Sequence, residues 1–115
     1  NNGNLPEFDW VLLGIGEDGH TASLFPNTVD LDSEDLTLLI LKPNTSEYRV
    51  SLSSSTFRAA KRISYLVTGR SKATVVSEVI YETGDFNSYP AYLVRAESGA
   101  TEYLLDRQAS SLLVS

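Results

Sequence analysis

The chain has 115 residues, the length of one small domain. Its 42% hydrophobic and 21% charged residues, with no repeat or low-complexity tract, are those of a globular protein. A net charge of −6 argues against general nucleic-acid binding, which needs a basic face, and no apolar run approaches the ~20 residues that span a bilayer.

Asn1 to Glu7 is polar and turn-prone. Phe8 to Leu13 is apolar and ends at Gly14, the pattern of a strand buried on both faces in a parallel sheet. Three glycines and the sole histidine, His20, follow at its carboxyl end, where ligands bind in open α/β sheets. Thr21 to Phe25 is expected to form a short helical turn opened by the Asp-Gly-His step and stopped near Pro26. Asn27 to Asp35 reads as an acidic surface loop.

Leu36 to Leu41 is a second apolar run, expected as a buried strand and closed by the turn residues Lys42-Pro43-Asn44. Tyr48 to Leu52 alternates and reads as a third strand, after which Ser53, Ser54 or Ser55 can cap a helix carrying Phe57, Ala60 and Lys61. Ile63 to Thr68 is the next strand. Ser71 is placed to cap a helix from Lys72 to Tyr81 with Val75, Val76, Val79 and Ile80 on its apolar stripe. A loop over Thr83 to Tyr89 leads through Pro90 into Ala91 to Val94. A turn at Glu97 to Gly99 then passes to Glu102 to Leu105 as a hairpin partner. Asp106 is placed to cap a last helix through Leu113. Strands alternating with helical segments predict an α/β fold with a mainly parallel sheet and flanking helices.

The chemistry concentrates at His20, whose ordinary pKa of about 6.5 makes it the natural base near neutral pH. Without a motif around it, a lone histidine more often caps or fills a turn, and Asp18 equally reads as an Asx-turn residue. Gly14-x-Gly16-x-x-Gly19 formally matches a dinucleotide fingerprint. Glu17 and Asp18 would repel a pyrophosphate there, and Asp32 and Asp35 precede the next apolar run instead of ending it. No cofactor is therefore expected. No metal is expected either: one histidine and no cysteine leave only carboxylates, and none is spaced as a calcium loop. No G-x-S-x-G elbow is present for a serine triad. The lack of cysteine removes disulfides and fits a cytosolic protein. Asn44-Thr45-Ser46 matches a glycosylation sequon by chance. The chain begins at Asn1 and holds no methionine, so it is expected to be a fragment, a processed chain or one piece of a larger protein.

Gly14-Ile15-Gly16-Glu17-Asp18-Gly19-His20-Thr21-Ala22-Ser23-Leu24-Phe25-Pro26 resembles the signature of the 6-phosphogluconolactonases, lactone hydrolases of the pentose phosphate pathway. The related glucosamine-6-phosphate deaminases share G-x-G-x-D-G-H but continue Ile-Ala-Phe-Asn-Glu-Pro; this sequence follows the lactonase version. The resemblance implies a Rossmann-like α/β fold in which residues 1–115 are the C-terminal portion of a single domain. Nothing here is similar to the glycine-rich phosphate loop of that family's N-terminal half, so the missing half is an expected partner.

The implied reaction is metal-free and cofactor-free hydrolysis of 6-phospho-D-glucono-1,5-lactone to 6-phosphogluconate. His20 would deprotonate the attacking water and then protonate the departing ring oxygen. A helix N-terminus beside it would disfavour the imidazolium and lend amides to the oxyanion. Gly16 and Gly19 would let the backbone approach the sugar. Asp18 would orient the imidazole or bind sugar hydroxyls, and Thr21 and Ser23 would donate to substrate or cap.

Arg49, in Tyr48-Arg-Val-Ser-Leu, resembles the family's R-[IV]-[TS]-L segment. Lys72, in Val67-Thr-Gly69-x-x-Lys72-Ala73, is similar to its V-x-G-x-x-K-A segment. Both would hold the substrate phosphate against an unfavourable overall field. Away from motifs they would be solvated, as Arg58, Lys61, Arg62 and Arg70 are expected to be. The expected partner is thus a small phosphorylated sugar lactone, with neither nucleic acid nor membrane. Two rival readings stand beside this one: an amino-sugar phosphate deaminase or isomerase, and a non-catalytic sugar-phosphate-binding module.

Overall fold

Three strands form one parallel sheet, ordered β1-β4-β5, in a computed structural model that describes residues 6–26 and 35–113. β1 is Val11–Leu13, β4 is Arg62–Val67 and β5 is Ala100–Leu105. Leu12 and Glu102 flank Ser64 in register, and Leu13 and Tyr103 flank Tyr65. The mixed α/β fold with a parallel sheet is therefore present. The acidic stretch 27–34, with Asn27 and Asp32, lies outside the described residues, as do residues 1–5 of the polar lead-in.

One face of this sheet is the core. Ile63, Tyr65 and Val67 of β4 are buried there, each worth about 1.5–3 kcal/mol of apolar burial. They cluster with Phe57, Val75, Val76, Ala91 and Val94. Tyr65 stacks on Tyr103 at 4.9 Å, and its hydroxyl donates to the Val94 carbonyl at 2.5 Å. Burial pushes the Tyr65 hydroxyl far above its ordinary pKa, so it remains a donor.

The opposite face is open among the described residues. Leu12 is 60% exposed, and Leu66 and Leu104 are exposed beside it. β1 was expected to be buried on both faces; its alternate residues are in contact with the core on one side only. Ser64, polar yet fully buried, lies beneath Trp10 on this open face. The Trp10 indole donates to its hydroxyl (2.8 Å), which donates onward to Glu102 (2.6 Å), and Arg62 lies 4.5 Å over the indole.

β2 (Thr37–Leu41) and β3 (Tyr48–Leu52) form a separate antiparallel ribbon. Its turn holds Asn44 in the left-handed region at φ +65, which asparagine tolerates. The second apolar run is a strand, but not a buried one. Ile40 alone on β2 is buried, while Leu39 and its partner Val50 face outward, Leu39 at 69% exposure. The ribbon is tied to α1 (Ser54–Arg58) by the Ser53 amide and the Thr56 hydroxyl, both donating to the Leu36 carbonyl at 3.0 Å. Of the three candidate serines, Ser53 is the cap, accepting from the Thr56 amide at 3.1 Å.

Four further expectations are corrected. Ser71 does not cap α2 (Ala73–Tyr81): it lies inside a 3-10 turn, Arg70–Lys72, that Gly69 opens at φ +99. Ile80 leaves the apolar stripe and is exposed. Residues Pro90–Leu93 form a short helix, α3, because proline suits the first helical position, where its missing N–H costs nothing. β5 consequently has no hairpin neighbour and pairs in parallel with β4. After β5 the chain makes turns rather than a helix, although Asp106 does cap them, accepting from the Ala109 amide at 2.7 Å. The same carboxylate accepts the Gly69 amide, closing the two strand ends together.

Candidate active site

β1 delivers the chain to Gly14 at the carboxyl end of the parallel sheet, and the next six residues fold back on themselves. The Gly16 amide donates to the His20 carbonyl (2.9 Å) and the Gly19 amide to the Gly16 carbonyl (3.0 Å). Buried Thr21 fastens the loop to the strand end by donating to the Gly14 carbonyl at 2.7 Å. The loop borders an open cleft of about 330 Å³ lined by Gly14, Ile15, Gly16, His20, Ala22 and Lys72.

Within the loop Asp18 Oδ1 accepts twice from His20, from the backbone amide at 3.1 Å and from ring Nδ1 at 2.6 Å. A carboxylate only accepts, so Nδ1 carries the proton and the neutral ring keeps its lone pair on Nε2. Partial burial works to raise the Asp18 carboxyl, but the hydrogen bonds from the His20 ring and amide outweigh it and hold it below its ordinary value. The imidazole also packs on Phe25, with ring centres 5.1 Å apart.

No helix follows His20. Thr21 and Leu24 exchange backbone hydrogen bonds (3.2 and 2.9 Å) around a tight turn, with Ala22 at φ +52. The expected helical turn over Thr21 to Phe25 is thereby corrected. Tertiary burial of Leu24 and Phe25 overrides it. The corner therefore gains neither helix amides nor a helix dipole from this segment, and Gly14, Gly16 and Gly19 do not open the helix on which a dinucleotide loop depends. The helix that borders the cleft is α2, through Lys72, whose ammonium donates to the Ile15 carbonyl.

The structure thus brings Gly16, Asp18, Gly19, His20 and Lys72 together. Arg49 is not among the lining residues: it sits on β3, ion-paired with Glu47 at 3.0 Å, and its hydrogen bond, then its charge, holds the Glu47 carboxyl below the usual range. Ala22, placed in the lining by its left-handed turn, carried no signal in the sequence. Among the described residues no three His, Cys, Asp or Glu side chains converge as a metal site.

The family model for glucosamine-6-phosphate isomerases/6-phosphogluconolactonase matches residues 1–103. The 6-phosphogluconolactonase of Haemophilus influenzae is 43% identical over 106 residues, covering 92% of this chain and 46% of that protein. A crystal structure of the protein named devB superposes with a TM-score of 0.88 at 42% identity, covering 96% of this chain and 46% of the other. The 6-phosphogluconolactonase structure from Trypanosoma brucei gives 0.80 at 33% identity, covering 95% and 43%. The chain spans about half the length of the curated relatives it matches.

Proposed function

The chain belongs to the family of glucosamine-6-phosphate isomerases and 6-phosphogluconolactonases, and from that premise we propose that it carries the catalytic corner of a 6-phosphogluconolactonase. The observation that carries the reading is the Asp18–His20 pair, which leaves Nε2 unprotonated at the rim of a cleft that also holds Lys72. Nε2 takes a proton from water as its oxygen attacks the lactone carbonyl. When the tetrahedral intermediate collapses, the bond to the ring oxygen breaks and His20 returns the proton to that oxygen, giving the open-chain acid. Asp18 holds the tautomer and stabilises the transient imidazolium.

Lys72 supports phosphate binding better than Arg49 does. An ammonium has three donors, and Ile15 occupies one of them. Arg49 is paired with Glu47 and stands outside the cleft lining. The deaminase reading is disfavoured because buried Phe25 stands where that branch carries its Glu.

The reading includes a second segment, equivalent to the N-terminal half of the relatives. Parallel sheets are covered on both faces, and Leu12, Leu66 and Leu104 leave one face of this sheet open. Among the described residues no helix is long and apolar enough to cross a membrane, and the reading places the reaction in the cytoplasm.

The test is lactone hydrolysis above the spontaneous rate, assayed with this chain joined to or mixed with a relative's N-terminal half. Loss of turnover in His20→Ala with retained 6-phosphogluconate binding supports the reading. A full rate in His20→Ala overturns the mechanism. Binding without turnover in the unsubstituted protein returns the non-catalytic module.

A further inference from the structure

Gly19 is the corner between Asp18 and His20, and it is held from outside its own loop. Its φ is +87, and a Cβ there would lie 2.3 Å from Cδ1 and 2.5 Å from Cγ of Tyr89, so the bare glycine is pressed against the phenol ring. Its carbonyl accepts the Ala91 amide at 2.9 Å. The short segment from Tyr89 to Ala91 therefore grips this peptide by packing and by a hydrogen bond.

Tyr89 is itself fastened. Its hydroxyl donates to Glu78 Oε1 at 2.5 Å, and Glu78 projects from α2 beside Gly84, where a Cβ would fall 1.9 Å from Oε2. Lys72, six residues before Glu78 and about 9 Å away along a helical rise, reaches the other end of the same loop at Ile15. The segment from Lys72 to Glu78 thus contacts the glycine loop at two points, one directly and one through Tyr89.

We propose that Tyr89, tethered by Glu78, is a positioning residue that sets the contact between Asp18 Oδ1 and His20 Nδ1. Both hydrogen bonds that Asp18 accepts from His20 span Gly19, so a change in the backbone dihedrals of Gly19 moves the carboxylate relative to the ring. Tyr89 acts through that peptide and touches no reacting atom. Burial, then the hydrogen bond and charge of Glu78, push its hydroxyl up to about 12. It stays a donor across the range in which imidazole titrates. For its catalytic consequence the proposal rests on the reading of His20 as the base.

The chain has one histidine, so imidazole ¹⁵N resonances report its tautomer without ambiguity. The spectrum is recorded without substrate on the unsubstituted chain and on Tyr89→Phe, Glu78→Ala and Tyr89→Ala, with circular dichroism confirming the fold. The expected result is a dominant Nδ1–H tautomer in the parent. Tyr89→Phe and Glu78→Ala, which both cut the tether and keep the ring, shift the ratio equally, and Tyr89→Ala shifts it further. In the turnover assay kcat falls about tenfold or more in Tyr89→Ala with KM held.

A folded Tyr89→Phe or Glu78→Ala protein with the parental tautomer ratio overturns the proposal. Alanine at position 78 favours helix, so that variant keeps the test decisive if Tyr89→Ala does not fold. The spectrum stands apart from the lactonase reading, which His20→Ala decides.

Discussion

The imidazole of His20 occupies the space that a side chain on Gly16 would need: a Cβ there would lie 2.1 Å from both Cε1 and Nδ1 of the ring. Gly16 is free of left-handed strain, so Gly16→Ala acts on the ring rather than on the backbone. The half-exposed imidazole can swing into the open cleft, which keeps the stability cost small but separates Nδ1 from Asp18. The expected outcome is a fall in kcat of about a hundredfold, the size of effect that a displacement of about 1 Å produces, with melting temperature within a few degrees of the parent. Steady-state kinetics beside thermal denaturation measure both.

Asp18 predicts a pH-dependent stability difference. Its carboxyl titrates below the ordinary 3.8 because the folded state supplies hydrogen bonds from His20 to the ionised form. A depressed folded pKa contributes stability that is present above 3.8 and lost as pH falls through the folded value. Asp18→Asn should therefore melt below the parent at pH 7, with the gap closing progressively as pH falls below 3.8. The carboxylate is more than half exposed, so solvent screening keeps the gap small. A gap that widens toward low pH contradicts the assignment.

Replacing Lys72 separates binding from chemistry. Lys72→Met removes the one ammonium in the cleft lining while keeping the length of the side chain. A charged hydrogen bond is worth about 1.5–3 kcal/mol, so KM for the phosphorylated lactone should rise about tenfold to a hundredfold, with kcat changed little. Calorimetry with 6-phosphogluconate gives the same loss free of turnover. Arg49→Ala, which breaks only the pair with Glu47, should leave KM within about twofold, as exposed pairs contribute little.

Two glycines should respond oppositely to alanine. A Cβ on Gly14 meets nothing within 4 Å, whereas one on Gly99 would lie 2.1 Å from the Lys61 carbonyl oxygen, which is backbone and cannot step aside. The Ala100 amide donates to that same carbonyl at 3.1 Å as β5 begins. Gly99→Ala should cost about 2–4 kcal/mol and Gly14→Ala less than about 0.5 kcal/mol, measured by chemical denaturation.

Local pattern by itself located β1, β3, β4 and α2 and brought Gly16, Asp18, Gly19 and His20 into one loop, because apolar period, glycine spacing and Asx chemistry act over a few residues. Lys72 was marked by resemblance to the family's V-x-G-x-x-K-A segment, since away from that motif it reads as a solvated surface residue. What local pattern could not determine was which distant surfaces would meet. Residues 21–25 had the composition of a helical turn, yet burying Leu24 and Phe25 made them a tight turn. The order β1-β4-β5 made β5 a parallel strand, because Pro90 turned its expected partner into α3. Arg49 had the motif but stood on the ribbon with Glu47, and Tyr89 had none but closed on Gly19. Short-range pattern determined the chemistry of the corner; long-range packing, which alone sets the neighbours of a buried glycine, decided what holds it in place.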